Sequence, residues 1–240
     1  MEQNKNAFYK VSCLLYAWQS AYTTILEEKE YFWKITTSYR QNIIDTETEP
    51  IWRAHESALV LEEADTRQAL NIVRFILDTL SVESDYVRYL ANSAARFYMK
   101  LGQPDSALYY YAISAISDVR HGVLEHASLR EVALLLYQKG DISRAYRYTN
   151  ACLEDAQQCK ARLRVIEMAS DLPIILNAYQ ERITQTQRRQ SIMIVALCVF
   201  LVVFIILFIY TFIIGKRLSI AHKNTQLALQ QVNKANAHLQ

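Results

Sequence analysis

The sequence predicts an all-α protein: an α-solenoid of helical pairs, then one membrane-crossing helix and a short coiled-coil-like tail. Three observations predict it. Helix-forming residues dominate a 240-residue chain with only four glycines and three prolines. One pattern of small and large residues returns at a fixed offset of 38. Near the end, 23 residues pass without a charge, Gly or Pro. No alternating Val/Ile/Thr run bounded by turns argues for a strand.

The repeat is carried by "ALVLEEADTRQAL", "AARFYMKLGQPDSAL" and "VALLLYQKGDISRAY". In these, Ala69, Ala107 and Ala145 coincide, as do Ala64, Gly102 and Gly140. Val60, Tyr98 and Leu136 share a third position, and Val73, Tyr111 and Thr149 a fourth. A Gly or Ala at the tight turn suits the left-handed residue that ends the first helix of a pair. A small Ala lets two antiparallel helices approach closely, and the larger residues fill the groove between pairs. Helix pairs are expected at 51–64/67–80, 84–101/105–118 and 123–139/142–157, preceded by a pair at 4–28/29–46. Pro50 and Pro104 suit helix starts. A last long helix begins near Lys160, with a break expected at Pro173.

The uncharged stretch runs from Ile192 to Ile214, and 18 of its 23 residues are Ile, Val, Leu or Phe. At 1.5 Å per residue it reaches about 35 Å, enough to cross a hydrocarbon core. Insertion free energies of roughly −0.3 to −0.6 kcal/mol per apolar residue sum to about −5 to −11 kcal/mol, an upper bound. A buried core helix would keep a polar face, and none is present. Arg182, Arg188 and Arg189 precede the stretch, while Lys216 and Arg217 follow it.

The tail from Gly215 carries Lys216, Arg217, Lys223 and Lys234 without an acid, so the net +2 of the chain leaves −2 for the rest. This bias favours a cytoplasmic tail. Within it Leu218, Ala221, Thr225, Ala228, Val232, Ala235 and Leu239 are spaced alternately three and four apart, a heptad seam weakened by alanine. The seam suits either a single solvated helix or a parallel two-stranded coil. The expected organisation is a repeat domain over 1–187, a transmembrane helix with flanks over 188–215 and a helical stalk over 216–240.

Catalytic and metal signatures are absent. His55, His121, His126, His222 and His238 have no metal-ligand spacing, and no CxxC, GxGxxG, GxSxG or phosphate-binding loop occurs. Cys13, Cys152, Cys159 and Cys198 read as free thiols, since the seven-residue separation of Cys152 and Cys159 on a helix is too long for a disulfide. Glu27–Glu28, Glu62–Glu63 and Asp155 read as solvated helix faces. No enzyme and no cofactor are expected. Basic residues are interleaved with acids throughout, which excludes a nucleic-acid stripe.

"YMKLGQPDSALYYY" and "YQKGDISRAYRYT" resemble tetratricopeptide repeats, with Tyr98, Gly102, Ala107 and Tyr111 spaced as in that motif. The period of 38 replaces the usual 34, and the helix-terminating proline is absent. In that register the first helix of each pair lines a concave face. It sets Asn92, Arg96, Met99 and Lys100 beside Arg130, Leu134, Tyr137 and Gln138. Arg96, Lys100 and Arg130 suit a carboxylate of a bound peptide, with Tyr137 as a flat apolar contact; the same charges also suit an ordinary solvated face.

From about residue 85 onward, "SAISDVRHGVLEHASLREVALLLYQKG" and its continuation through span and tail resemble a family of bacterial membrane proteins of uncharacterised function, which in turn resemble one-span regulators. The resemblance implies a signal peptide, repeats outside the inner membrane, one span, a cytoplasmic coiled coil and a helix-turn-helix-type output domain. Two of these, the signal peptide and the output domain, have no counterpart here, so the chain is expected to be a fragment with no nucleic-acid contact of its own. The implied partners are a protein or peptide ligand of the solenoid, the lipid bilayer and a second copy paired through span and stalk. The implied role is sensory or protein-interaction relay; the receptor half of a sensor histidine kinase and a membrane scaffold without output domain remain alternatives.

Overall fold

The structure is a computed structural model. It describes the backbone of residues 2–124 and 127–237, and the side chains within these except at 2–4, 162–163, 222 and 226–237. Among the described residues all regular structure is helical: α1 (Glu2–Tyr22), α2 (Leu26–Thr46), α3 (Pro50–Leu61), α4 (Thr66–Thr79), α5 (Tyr86–Lys100), α6 (Pro104–Arg120), α7 (Ala127–Gln138), α8 (Ile142–Gln158) and α9 (Arg162–Ala237). The chain divides into two units, Met1–Tyr179 and Gln180–Gln240.

In the first unit each helix from α1 to α7 packs against the next in sequence, and α3 also meets α5. Contacts of this kind define a solenoid. Its repeated alanines are where close approach requires them: Ala69, Ala107 and Ala145 are all 0% exposed. Leu59, Leu70, Val73, Leu90 and Phe97 surround the first alanine. Tyr111, Val132, Leu135 and Leu136 surround the next two, together with Ile175 of α9.

The repeat extends to the turns. Gly102 (φ 70°) and Gly140 (φ 79°) follow α5 and α7, while Gly122 (φ 68°) and Lys160 (φ 57°) follow α6 and α8. At Gly102 the backbone N–H bonds to Met99 and that of Gln103 to Tyr98; at Lys160 the N–H bonds to Gln157 and that of Ala161 to Ala156. These are Schellman closures, which satisfy carbonyls that the helix end would orphan. Ala64, aligned with the two turn glycines, has no left-handed φ. Its turn is instead closed by Asp65, whose Oδ1 accepts from the Gln68 N–H at 2.9 Å.

Val123 and Leu124, expected to open a helix, are not helical, and two further features differ from expectation. The first turn falls at 23–25 instead of 28–29. There Thr23 Oγ1 accepts from the Ile25 N–H and donates to Glu28, at 3.3 and 2.7 Å. Glu27 and Glu28 then occupy the first turn of α2, where the helix dipole favours acids. No break occurs at Pro173, which lies inside α9. Met168 before it and Ile175 after it are 2% and 1% exposed. Their burial on the repeat holds both turns in one helix against the proline's lost hydrogen bond, a cost of about 3 kcal/mol.

In the second unit the backbone is helical through Ala237. Among the described residues one helix is long and apolar enough to cross a membrane. From Ile192 to Ile214 its side chains are exposed, Phe208 at 63% among them. Leu218, the first seam residue of the tail, is also exposed. The side chains of Ala228, Val232 and Ala235 are not among those described, and Leu239 and His238 lie outside the described residues, as does His126.

Candidate functional site

A groove of about 610 Å³ runs across the first unit. It is lined chiefly by the odd-numbered helices, the first members of the pairs. On α3, Trp52, His55, Glu56 and Leu59 stand at i, i+3, i+4 and i+7; on α5, Tyr89, Asn92, Ser93 and Arg96 repeat that spacing. Each set forms one stripe of its helix. Lys10 of α1, Arg40 of α2 and Arg88 of α5 also line it.

A polar ladder crosses the helices. His55 Nε2 meets Ser93 Oγ at 2.8 Å. Asn92 Nδ2 donates to Ser128 Oγ at 2.8 Å, and Ser114 Oγ donates to the Arg88 carbonyl at 2.7 Å. Beside the ladder stands an aromatic wall: Trp52 lies 4.9 Å from Tyr89 and 5.7 Å from His55, centroid to centroid. Lys10 Nζ sits 5.8 Å over Trp52, and the Arg88 guanidinium 4.3 Å over Tyr89.

The groove cations are matched by carboxylates of the chain. Arg40 pairs with Glu56, Arg96 with Glu62 and Lys10 with Glu47, each at 2.6 Å. Arg164 pairs with Glu167 at 2.7 Å. Glu47 also accepts from Asn6 at 3.2 Å and from the Thr48 and Glu49 N–H groups at 3.0 and 3.1 Å. Burial by itself raises a carboxyl pKa, but here the Lys10, Glu49 and Asn6 hydrogen bonds and the Lys10 charge outweigh it and hold Glu47 at about 2. His55 is lowered as well, but by burial. Burial first, then the charges of Arg40 and Arg96, lower it to about 3, so the imidazole is neutral at physiological pH.

Among the described residues, four buried side-chain polar atoms lack a hydrogen-bond partner: Asn6 Oδ1, Arg40 Nε, His55 Nδ1 and Arg88 Nε. The last three belong to residues that line this groove. Arg88 Nε is 3.0 Å from Asp85 Oδ1, close enough for the charges to attract but off the N–H axis. An orphaned buried donor costs about 1–3 kcal/mol, so three in one groove require a reason.

The six residues expected to bind a partner separate. Asn92 and Arg96 line the groove; Lys100, Arg130, Tyr137 and Gln138 are not among its lining. Lys100 pairs with Glu62 at 3.3 Å and with Glu63, and Arg130 with Asp171 at 2.7 Å and Glu131. Tyr137 packs on the second core cluster, and Gln138 is exposed. Glu62, expected on a solvated face, is 5% exposed and bridges Arg96 and Lys100 across the repeat. Sequence reasoning missed Trp52, His55, Tyr89, Arg40, Arg88 and Lys10. The signal for the first three was the i, i+3, i+4, i+7 stripe, hidden for Trp52 and His55 because the first repeat lacks its turn glycine.

The groove cysteine is not poised as a nucleophile. Burial raises the Cys13 thiol, which opposes thiolate formation. Burial likewise pushes the Cys152 thiol up to about 12. Among the described residues no group of three His, Cys, Asp or Glu side chains is arranged to hold a metal.

No curated protein matches the chain. A family model described as the SusR N-terminal TPR domain matches residues 1–170. That stretch contains α1 to α8 and the whole groove. TPR units are protein-interaction scaffolds that carry no catalysis of their own. By this match, extending over well more than half of its length, the chain belongs to the family of SusR N-terminal TPR domains.

Proposed function

We propose that the chain is the sensing half of a bacterial one-span relay, in which the groove holds a protein or peptide ligand. The apolar segment 192–214 crosses the inner membrane, the repeat domain lies outside it and the basic tail lies in the cytoplasm. Two copies pair through span and stalk, so that ligand binding alters the spacing or rotation of the paired helices. The supporting observation is the groove itself: two side-by-side stripes on α3 and α5, bearing an aromatic wall and unpartnered polar atoms. Solenoids use concave surfaces of this kind for binding. For the segment, the support is a run without ionised residues whose side chains no protein covers.

The test of the groove is a random-peptide display selection against the detergent-solubilised chain, with Tyr89→Ala as the counter-target. Peptides that bind the natural chain and weaken about tenfold or more on Tyr89→Ala are expected. A selection whose peptides are all insensitive to Tyr89→Ala contradicts the reading.

A further inference from the structure

Helix α1 is apolar on two faces, and only one of them is packed. On the packed face Ser12, Cys13 and Ser20 are buried, and Tyr16 stacks on Tyr39 and Phe32 of α2, centroids 5.8 and 6.2 Å away. The other face carries Phe8, Val11, Leu15, Trp18 and Tyr22, which are 49% to 67% exposed. Their spacing of three, four, three and four sets them on one stripe of the helix, at the a and d positions of a heptad. Phe8, at the margin, also meets Tyr39 edge-on at 6.2 Å. The stripe holds no charge: Ala7, Leu14 and Ala21 flank it on one side, Lys5 stands before its first residue, and Lys10 is turned to Glu47. Where no further unit stacks, the outer helix of a solenoid keeps a polar face. On this side α1 keeps none.

We propose that this stripe docks a second copy of the chain, the α1 helices of two repeat domains packing seam to seam about a two-fold axis. The spacing selects a helix as the occupant, because knobs three and four residues apart fill the holes between side chains of a facing helix. The lack of charge lets the same patch meet itself, since a two-fold contact would set any ionised residue near the axis against its own copy. The area fits as well. With its flanking residues the face presents on the order of 800 Å², about what each partner gives to a stable specific interface. That exceeds the roughly 300–600 Å² of the largest apolar patch on a typical monomer. The contact is separate from the groove and from the pairing of spans. It takes from the relay only that copies share one membrane, which raises their effective concentration.

The test uses the full chain in bacterial membranes, with the photo-crosslinker p-benzoyl-phenylalanine placed singly at position 11, 18 or 22, and at position 67 on the exposed side of α4 as a control. Illumination is expected to give a covalent dimer of the chain from the three stripe positions and none from the control. Leu15→Lys and Leu15→Glu each set like charges into the seam, and each is expected to lower the dimer from position 18 about tenfold or more. Leu15 is half exposed, so circular dichroism of either variant should match the natural chain. Co-expression of the two variants under different tags is expected to restore a mixed dimer, because opposite charges then face each other.

A stripe that gives no dimer, a dimer that both Leu15 variants leave unchanged, or charges whose mixing restores nothing overturns the contact. So does capture of a different protein, or of another segment of the same chain, in place of the second copy. Crosslinks between spans that persist while the stripe stays monomeric leave the relay standing and remove this interface alone.

Discussion

His55 and Ser93 stand 38 residues apart, one repeat period, and their side chains meet at 2.8 Å. The same spacing that builds the solenoid therefore brings equivalent positions of successive units into contact, and at this pair the contact is polar and buried. Ser93 is the one hydrogen-bond partner of a ring whose other nitrogen has none. Ser93→Ala is expected to cost about 1–3 kcal/mol, because it leaves the imidazole wholly unsatisfied. Urea unfolding of the solubilised chain measures it, and an unchanged midpoint contradicts the assignment.

Stability is expected to fall with acidity in two stages. The folded-state pKa of His55, about 3, lies below its ordinary 6.5, so between those values the unfolded chain binds the extra proton. Stability from this group is complete above pH 6.5 and is lost as pH falls towards 3. Glu47, held at about 2 against an ordinary 4.5, adds its loss below pH 4.5. Each group contributes a slope of at most about 1.4 kcal/mol per pH unit. His55→Asn should flatten the profile between pH 6.5 and 4.5 and leave the lower limb in place; melting curves across pH read both limbs.

Lys160 occupies the left-handed position that glycine fills at Gly102, Gly122 and Gly140. A non-glycine residue there carries a strain of roughly 1–2 kcal/mol. Lys160→Gly is expected to stabilise the repeat unit by about 1 kcal/mol, offset in part by glycine's greater freedom when unfolded. Gly140→Ala should do the opposite although a Cβ there meets nothing within 4 Å. Paired denaturant titrations check both signs.

Ala107 is completely buried between helices of successive pairs. Ala107→Leu has no cavity to enter and should destabilise by about 1–3 kcal/mol, through displaced helices more than lost contacts. A neutral result by differential scanning calorimetry contradicts the close approach.

The proposed pairing of spans predicts a helical pattern of crosslinks. With Cys13, Cys152, Cys159 and Cys198 replaced by serine, single cysteines placed from 195 to 205 and oxidised in membranes should dimerise with a period of three to four residues. Uniformly absent crosslinks contradict a paired span.

Much of the fold was legible because its determinants are local or periodic. Ala69, Ala107 and Ala145 announce close helix approach, and Gly102 and Gly140 announce left-handed turns that any reader of the period can place. The missing break at Pro173 was not legible, because it depends on Met168 and Ile175 burying against a distant repeat. The groove was legible only in part. Asn92 and Arg96 follow from the motif register, whereas Arg40 and Lys10 enter from the N-terminal pair, which the 38-residue pattern does not cover. Glu62 misled for a related reason: a pair of adjacent glutamates looks solvated until Lys100, one period on, is seen to neutralise it.

The central claim, that the apolar helix separates the repeat domain from the tail, is tested most directly by reporters fused to each terminus. A phosphatase that is active only outside the inner membrane and a fluorescent protein that matures only in the cytoplasm serve as the pair. The account predicts phosphatase activity at the N-terminus and fluorescence at the C-terminus. The same compartment reported from both ends would contradict it.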